Sequence, residues 1–137
     1  MILEATAHAR WVRIAPRKMR LVADMVRGAA VRDAVNKLHF SVKRSSVPVE
    51  KAVRSALANL MQQEAGAKLD PGDVYIKEIK VDGGPTMRRW MPRAMGRAYR
   101  IRKRMSHVHI LLAAEVPERE TKAKVAAEAP KEGGKKG

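Results

Sequence analysis

The chain has 137 residues, a formal net charge of +15 and a sequence pI near 10.8, and it contains no cysteine. That length suits one domain plus appendages, and the charge attracts polyanions, nucleic acid first and anionic membrane second. Missing cysteines exclude a disulfide framework and a cysteine-based zinc site, no apolar run reaches the roughly 18 residues of a membrane span, and MILEATAHARWVRIAP lacks the apolar core of a secretory leader.

Ile2 to Trp11 alternates Leu3, Ala5, Ala7 and Ala9 with Glu4, Thr6, His8 and Arg10, which predicts a strand. Pro16 to Arg27 predicts a helix. Proline suits its first turn, Gly28 caps its end, and Met19, Val22, Met25 and Val26 form its apolar stripe. Arg17, Lys18 and Arg20 crowd the first turn, where cations oppose the helix dipole. Such a placement points to a phosphate partner, with a solvated basic face as the alternative. Val31 to Phe40 predicts a second helix from Val31, Ala34, Val35 and Leu38. Ser41 to Gln63 carries the cleanest helical stripe, from Val49 through Ala52, Val53, Ala56, Leu57 and Leu60 to Met61. Pro48 either starts this helix after Ser46 or kinks an earlier turn. The alanines at 52, 56 and 58 allow close packing on a neighbouring element.

Ala65 to Gly72 is a loop, and Val74 to Val81 a strand. The apolar phase of that strand shifts between Ile76 and Ile79, which predicts a bulge or burial on both faces. From Val81 to Leu112 the chain carries Arg88, Arg89, Arg93, Arg97, Arg100, Arg102, Lys103 and Arg104, with no Asp or Glu between Asp82 and Glu115. Gly83, Gly84, Pro85, Pro92 and Gly96 argue against a long helix. The expectation is a β-hairpin at about 82–106, returning as an alternating strand from His107 to Ala113. Extended, Val74 to Met91 would span roughly 55–60 Å. A globule of about 100 residues is only roughly 35 Å across, so the hairpin should project from its domain. A lone ribbon is marginal in water and should be ordered by a partner that supplies negative charge. Trp90, Met87, Met91 and Met95 lie among its arginines, where aromatic and guanidinium planes can stack on bases. The domain is expected to occupy residues 1–115. Val116 to Gly137 is too poor in apolar residues to offset its ordering entropy and is expected to be a disordered tail.

The segment GPTMRRWMPRAMGRAYRIRKRMSHVHI resembles the hairpin of the bacterial large-subunit ribosomal protein family L twenty-two. Arg88, Arg93, Ala94, Gly96 and Arg97 match its pattern, followed by His107, Val108, Ile110 and Leu112. Pro16 to Gly28 resembles the family's first helix, and Glu50 to Leu60 its long helix. The resemblance covers about residues 3 to 114. It implies an α+β fold: three helices on a small three-stranded antiparallel sheet, with a long protruding β-hairpin. It also implies a cytoplasmic ribosomal protein that binds large-subunit rRNA, aids early assembly and lines the polypeptide exit tunnel with its hairpin tip. The partners so implied are rRNA, neighbouring large-subunit proteins and the nascent chain, with no membrane and no cofactor. In that family, tip changes alter macrolide response and nascent-chain arrest. Candidate rRNA-binding residues are Arg10, Arg13, Arg17, Lys18, Arg20, the hairpin cations Arg88, Arg89, Arg93, Arg97, Arg100, Arg102, Lys103 and Arg104, and His107. Candidate tip residues are Met87, Arg88, Arg89, Trp90, Met91, Pro92 and Met95. Relatives usually carry Lys or Arg at position 95 and an aliphatic residue at position 90.

No catalytic constellation accompanies these residues. His107 and His109 share a strand face, but no carboxylate or cysteine lies near them in sequence, so hydrogen bonding to RNA or a neighbouring strand is preferred to metal ligation. Asp82-Gly83-Gly84 lacks the spacing of a dinucleotide loop and is expected to bend the chain into the hairpin. Two other classes stand beside the ribosomal one. A free nucleic-acid chaperone would bind duplex DNA as well as structured RNA. A membrane-surface protein would need a basic amphipathic helix, which the prolines and glycines oppose.

Overall fold

The computed structural model describes residues 2–63 and 69–115. Both the tail expectation and the first half of the loop expected at 65–72 lie outside the described residues. In chain order the elements are β1 (Ile2–Val12), α1 (Pro16–Val26), α2 (Val31–His39), α3 (Ser46–Met61), β2 (Val74–Pro92) and β3 (Ala98–Glu115). The strands form one antiparallel sheet in the order β1-β3-β2. This is the expected α+β fold, with three helices on one face of the sheet.

Alternation decides which face is buried. Ala5 and Ala7 of β1, Val108, Ile110 and Leu112 of β3, and Val74, Ile76, Ile79 and Val81 of β2 point into the core. Met19, Val22 and Val26 of α1, Val31, Ala34 and Leu38 of α2, and Val49, Val53, Ala56 and Leu60 of α3 meet them there. The phase change after Ile76 is a bulge: the register with β3 slips between Ile76 and Glu78, so Ile79 and Val81 return to the core. Of the α3 alanines expected to pack closely, Ala52 and Ala56 are buried, whereas Ala58 is exposed.

Helix boundaries follow local chemistry. Gly28 takes φ +72 after α1, the left-handed conformation that ends a helix most cheaply in glycine. α3 begins at Ser46 rather than Ser41, with Pro48 in its first turn, where no backbone donor is needed. Side chains of α3 and of the residues just after it protect the sheet edge, because Asn59 donates to the Thr6 carbonyl and Gln63 to the Glu4 carbonyl, both at 3.0 Å. On the opposite edge Ile76 N–H donates to the Ala29 carbonyl at 3.0 Å.

β1 stops at Val12, opposite Ser106, and β2 and β3 continue without it. A second slip in register, between Gly83 and Thr86, marks the root of the hairpin. Pairing then runs from Thr86–Arg104 to Pro92–Ala98, a shaft of roughly 23 Å at about 3.3 Å per residue. Arg93 N–H donates to the Arg97 carbonyl at 2.8 Å and closes the loop, in which Met95 (φ +58) and Gly96 (φ +63) are left-handed. Pro92 therefore ends the ladder, as its missing donor requires.

Candidate nucleic-acid interface

The shaft has two unlike faces, because directly paired residues share a side. Thr86–Arg104, Arg88–Arg102 and Trp90–Arg100 occupy one; Met87–Lys103, Arg89–Ile101 and Met91–Tyr99 occupy the other. The first is an arginine face. Its Arg88 and Arg102 lie directly opposite each other, an unfavourable pairing without a counter-charge. Next to this pair, Arg100 places its guanidinium over the Trp90 ring, 5.0 Å from the centroid. The second face mixes methionine, isoleucine and tyrosine with Arg89 and Lys103. Among the described residues, no ion pair engages a hairpin cation.

Between the shaft and the body lies a cleft of about 930 Å³. The hairpin contributes Arg89, Arg102, Lys103 and Arg104, the β1–α1 turn Arg13, and α1 Lys18. The α2–α3 loop adds Lys43 and Arg44, and no carboxylate lines the space. A second hollow of about 280 Å³ lies along the arginine face, between Thr86, Arg88, Arg100, Arg102 and Arg104. Fields from one sign of charge add in such clefts, which suits a polyanion that carries many phosphates.

Lys43 and Arg44 had no motif to announce them in the sequence. Their position comes from the start of α3: buried Ser46 donates through Oγ to the Lys43 carbonyl at 2.7 Å and through its backbone N–H at 2.9 Å. That clamp turns the loop toward the hairpin root. A serine beside a Lys-Arg pair at a helix start is the only trace in the chain, and it is weak alone.

The expected site residues separate into groups. Arg13, Lys18, Arg89, Arg102, Lys103 and Arg104 converge on the cleft, and Arg88 and Arg100 on the hollow. Arg93 and Arg97 sit exposed in the apical loop, and Arg10 and Arg17 are exposed on the body. Arg20 is exposed as well, and its Nε and Nη2 both lie 3.4 Å from the Val81 carbonyl, linking α1 to β2. His107 is likewise occupied, accepting the Trp11 backbone N–H at Nδ1 over 3.1 Å. Among the expected tip residues only Met95 sits in the turn itself, 92% exposed. Met87, Arg88 and Arg89 stand farther back on the shaft, and Met87 and Arg89 border the cleft.

The sheet face away from the helices has a different character. His8 and His109 hydrogen-bond through their Nδ1 atoms at 2.5 Å. Asp82, brought alongside by the sheet, lies 3.5 Å from His109 Nε2. Glu4 of β1 and Lys77 of β2 pair across the middle strand, and the carboxylate raises the Lys77 ammonium above its ordinary pKa. Carboxylates thus collect on the sheet body, away from the hairpin.

Residues 7–113 match the family model described as ribosomal protein L22p/L17e. Among curated proteins, the chain is 48% identical over 111 residues to the large ribosomal subunit protein uL22 of Myxococcus xanthus, covering 81% of this chain and 96% of that protein. It is 49% identical over 111 residues to the protein of the same name from Geobacter sulfurreducens, covering 81% and 97%. The Desulfitobacterium hafniense protein of that name is 48% identical over 109 residues, covering 80% and 93%.

Proposed function

The chain belongs to the ribosomal protein L22p/L17e family, and from that membership we propose that its cleft and hairpin bind large-subunit ribosomal RNA. The family is a structural, non-enzymatic component of the large ribosomal subunit, and this chain is a structural constituent of that subunit in the cytoplasm. Within it, the arginines of the shaft and the cations of the cleft position the protein on phosphates, while few groups read bases. The body holds several RNA segments together early in assembly. The hairpin reaches inward, so that its distal end lines the exit tunnel beside the nascent chain, and neighbouring ribosomal proteins meet the body.

One observation carries this reading. The paired Arg88 and Arg102, together with a carboxylate-free cleft, leave the hairpin without internal neutralisation. Phosphates supply it. Filter binding of the full chain to deproteinised large-subunit rRNA across a salt series tests the idea. If about six to eight cations engage, the slope of log affinity on log salt is roughly −4 to −7, with the rRNA preferred over duplex DNA of equal length. A flat slope, or equal binding to both, contradicts it.

A further inference from the structure

We propose that Trp11 is a stacking platform for an unpaired RNA base at the root of the hairpin, an inference that rests on the ribosomal-RNA reading above.

Trp11 sits where β1 breaks register. Ala9 pairs with Val108, Val12 pairs with Ser106, and Arg10 and Trp11 bulge out between them. Its φ is +59, a left-handed conformation that a bulky side chain seldom adopts. Two contacts from one residue hold it there. The Trp11 N–H donates to His107 Nδ1 at 3.1 Å, and the two rings meet edge to face, with centroids 5.2 Å apart and an interplanar angle of 88°. The accepting nitrogen fixes the neutral His107 tautomer with its hydrogen on Nε2. His107 is therefore a positioning residue for the indole.

The strained backbone displays the ring instead of burying it, since Trp11 is 62% exposed. Among the described residues no ring lies flat on the indole, and its aromatic neighbour His107 is perpendicular. Trp90, by contrast, already carries the Arg100 guanidinium over its face. Exposed Arg10 and Arg13 flank Trp11 in sequence, and Arg13 also lines the cationic cleft. An exposed π surface between phosphate-binding cations is the arrangement that single-stranded nucleic acid uses: the base stacks while its backbone follows the charge. A paired helix keeps its base faces covered, so the ligand is an unpaired nucleotide.

Trp11 and Trp90 are the only tryptophans in the chain, so Trp90→Phe leaves Trp11 as the sole indole reporter. In that background, single-stranded oligoadenylate should quench the fluorescence saturably. An RNA duplex with the same number of phosphates should bind with little quenching. Trp11→Ala should weaken oligoadenylate binding by about 5- to 150-fold while leaving its salt slope unchanged, because stacking releases no counterions. Trp11→Gly should weaken it equally. Glycine adopts the left-handed conformation freely, so this variant keeps the body folded by circular dichroism. Trp11→Phe should retain most of the affinity.

Unchanged affinity in Trp11→Gly, or equal quenching by the duplex, would overturn the stacking role and leave the indole to a protein neighbour. Those results would spare the wider reading if the parent chain still bound rRNA with a steep salt slope. Loss of that slope in the parent would remove both.

Discussion

Gly84 crosses Met105 at the root of the hairpin with room for a hydrogen and little more. A Cβ placed on Gly84 lies 3.2 Å from the Met105 backbone carbon and 3.2 Å from His107 Nε2. The crossing coincides with the register slip between Gly83 and Thr86, where the ribbon leaves the sheet. The glycine thus fixes the angle at which the cationic shaft departs. Gly84→Val should destabilise the chain by about 1–3 kcal/mol through overpacking. Thermal unfolding should fall by about 4–8 °C for each kcal/mol. An unchanged Tm would mean that the crossing relaxes freely.

Lys43 and Arg44 test the cleft apart from the hairpin. Both are exposed, so Lys43→Ala/Arg44→Ala should leave Tm nearly unchanged. The salt slope of rRNA binding should shrink by about 1 for each phosphate that the variant no longer neutralises. A parental slope would place these side chains outside the interface.

Removing Leu112 should be far more damaging. It is fully buried at the centre of the sheet, and Leu112→Ala should cost about 2–5 kcal/mol by denaturant unfolding. Phe40 gives the opposite case. It is 83% exposed at the end of α2, and Phe40→Ser should change stability by no more than about 0.5 kcal/mol.

The Glu4–Lys77 pair predicts a pH effect with a definite sign. The Lys77 pKa is raised above its ordinary 10.5 in the folded chain, chiefly by its hydrogen bond to Glu4. Its contribution is therefore fully present below 10.5 and is lost as pH rises through the higher folded value. Lys77→Met should flatten the decline of stability in that alkaline window. Both side chains are partly solvated, so the effect is small. Identical alkaline limbs in the two proteins would count against the pairing.

Much of the fold is legible because periodicity records burial. The α3 stripe, the Gly28 stop and the bulge after Ile76 each leave a local mark in the residue order. The strand order β1-β3-β2 leaves none, and only the resemblance implied the sheet. The site was legible where charge is dense, along Arg88 to Arg104. It was not legible where tertiary folding assigns the role. Lys43 and Arg44 reach the cleft through the Ser46 clamp, and Arg20 also reaches the Val81 carbonyl. Trp11 looks like the last residue of a strand, because nothing in an alternating pattern announces a left-handed backbone.

By the proposed function, the acid-free hairpin and cleft are the RNA-bearing surface of this chain within the large subunit. Ultraviolet crosslinking of large subunits purified with the tagged full chain, followed by mapping of nucleotide-bearing peptides, probes that surface without an intermediary. Ribonucleotide adducts should concentrate on Thr86 to Arg104 and on the peptide carrying Lys43 and Arg44. Adducts confined to α2, with the hairpin bare, would contradict the proposal.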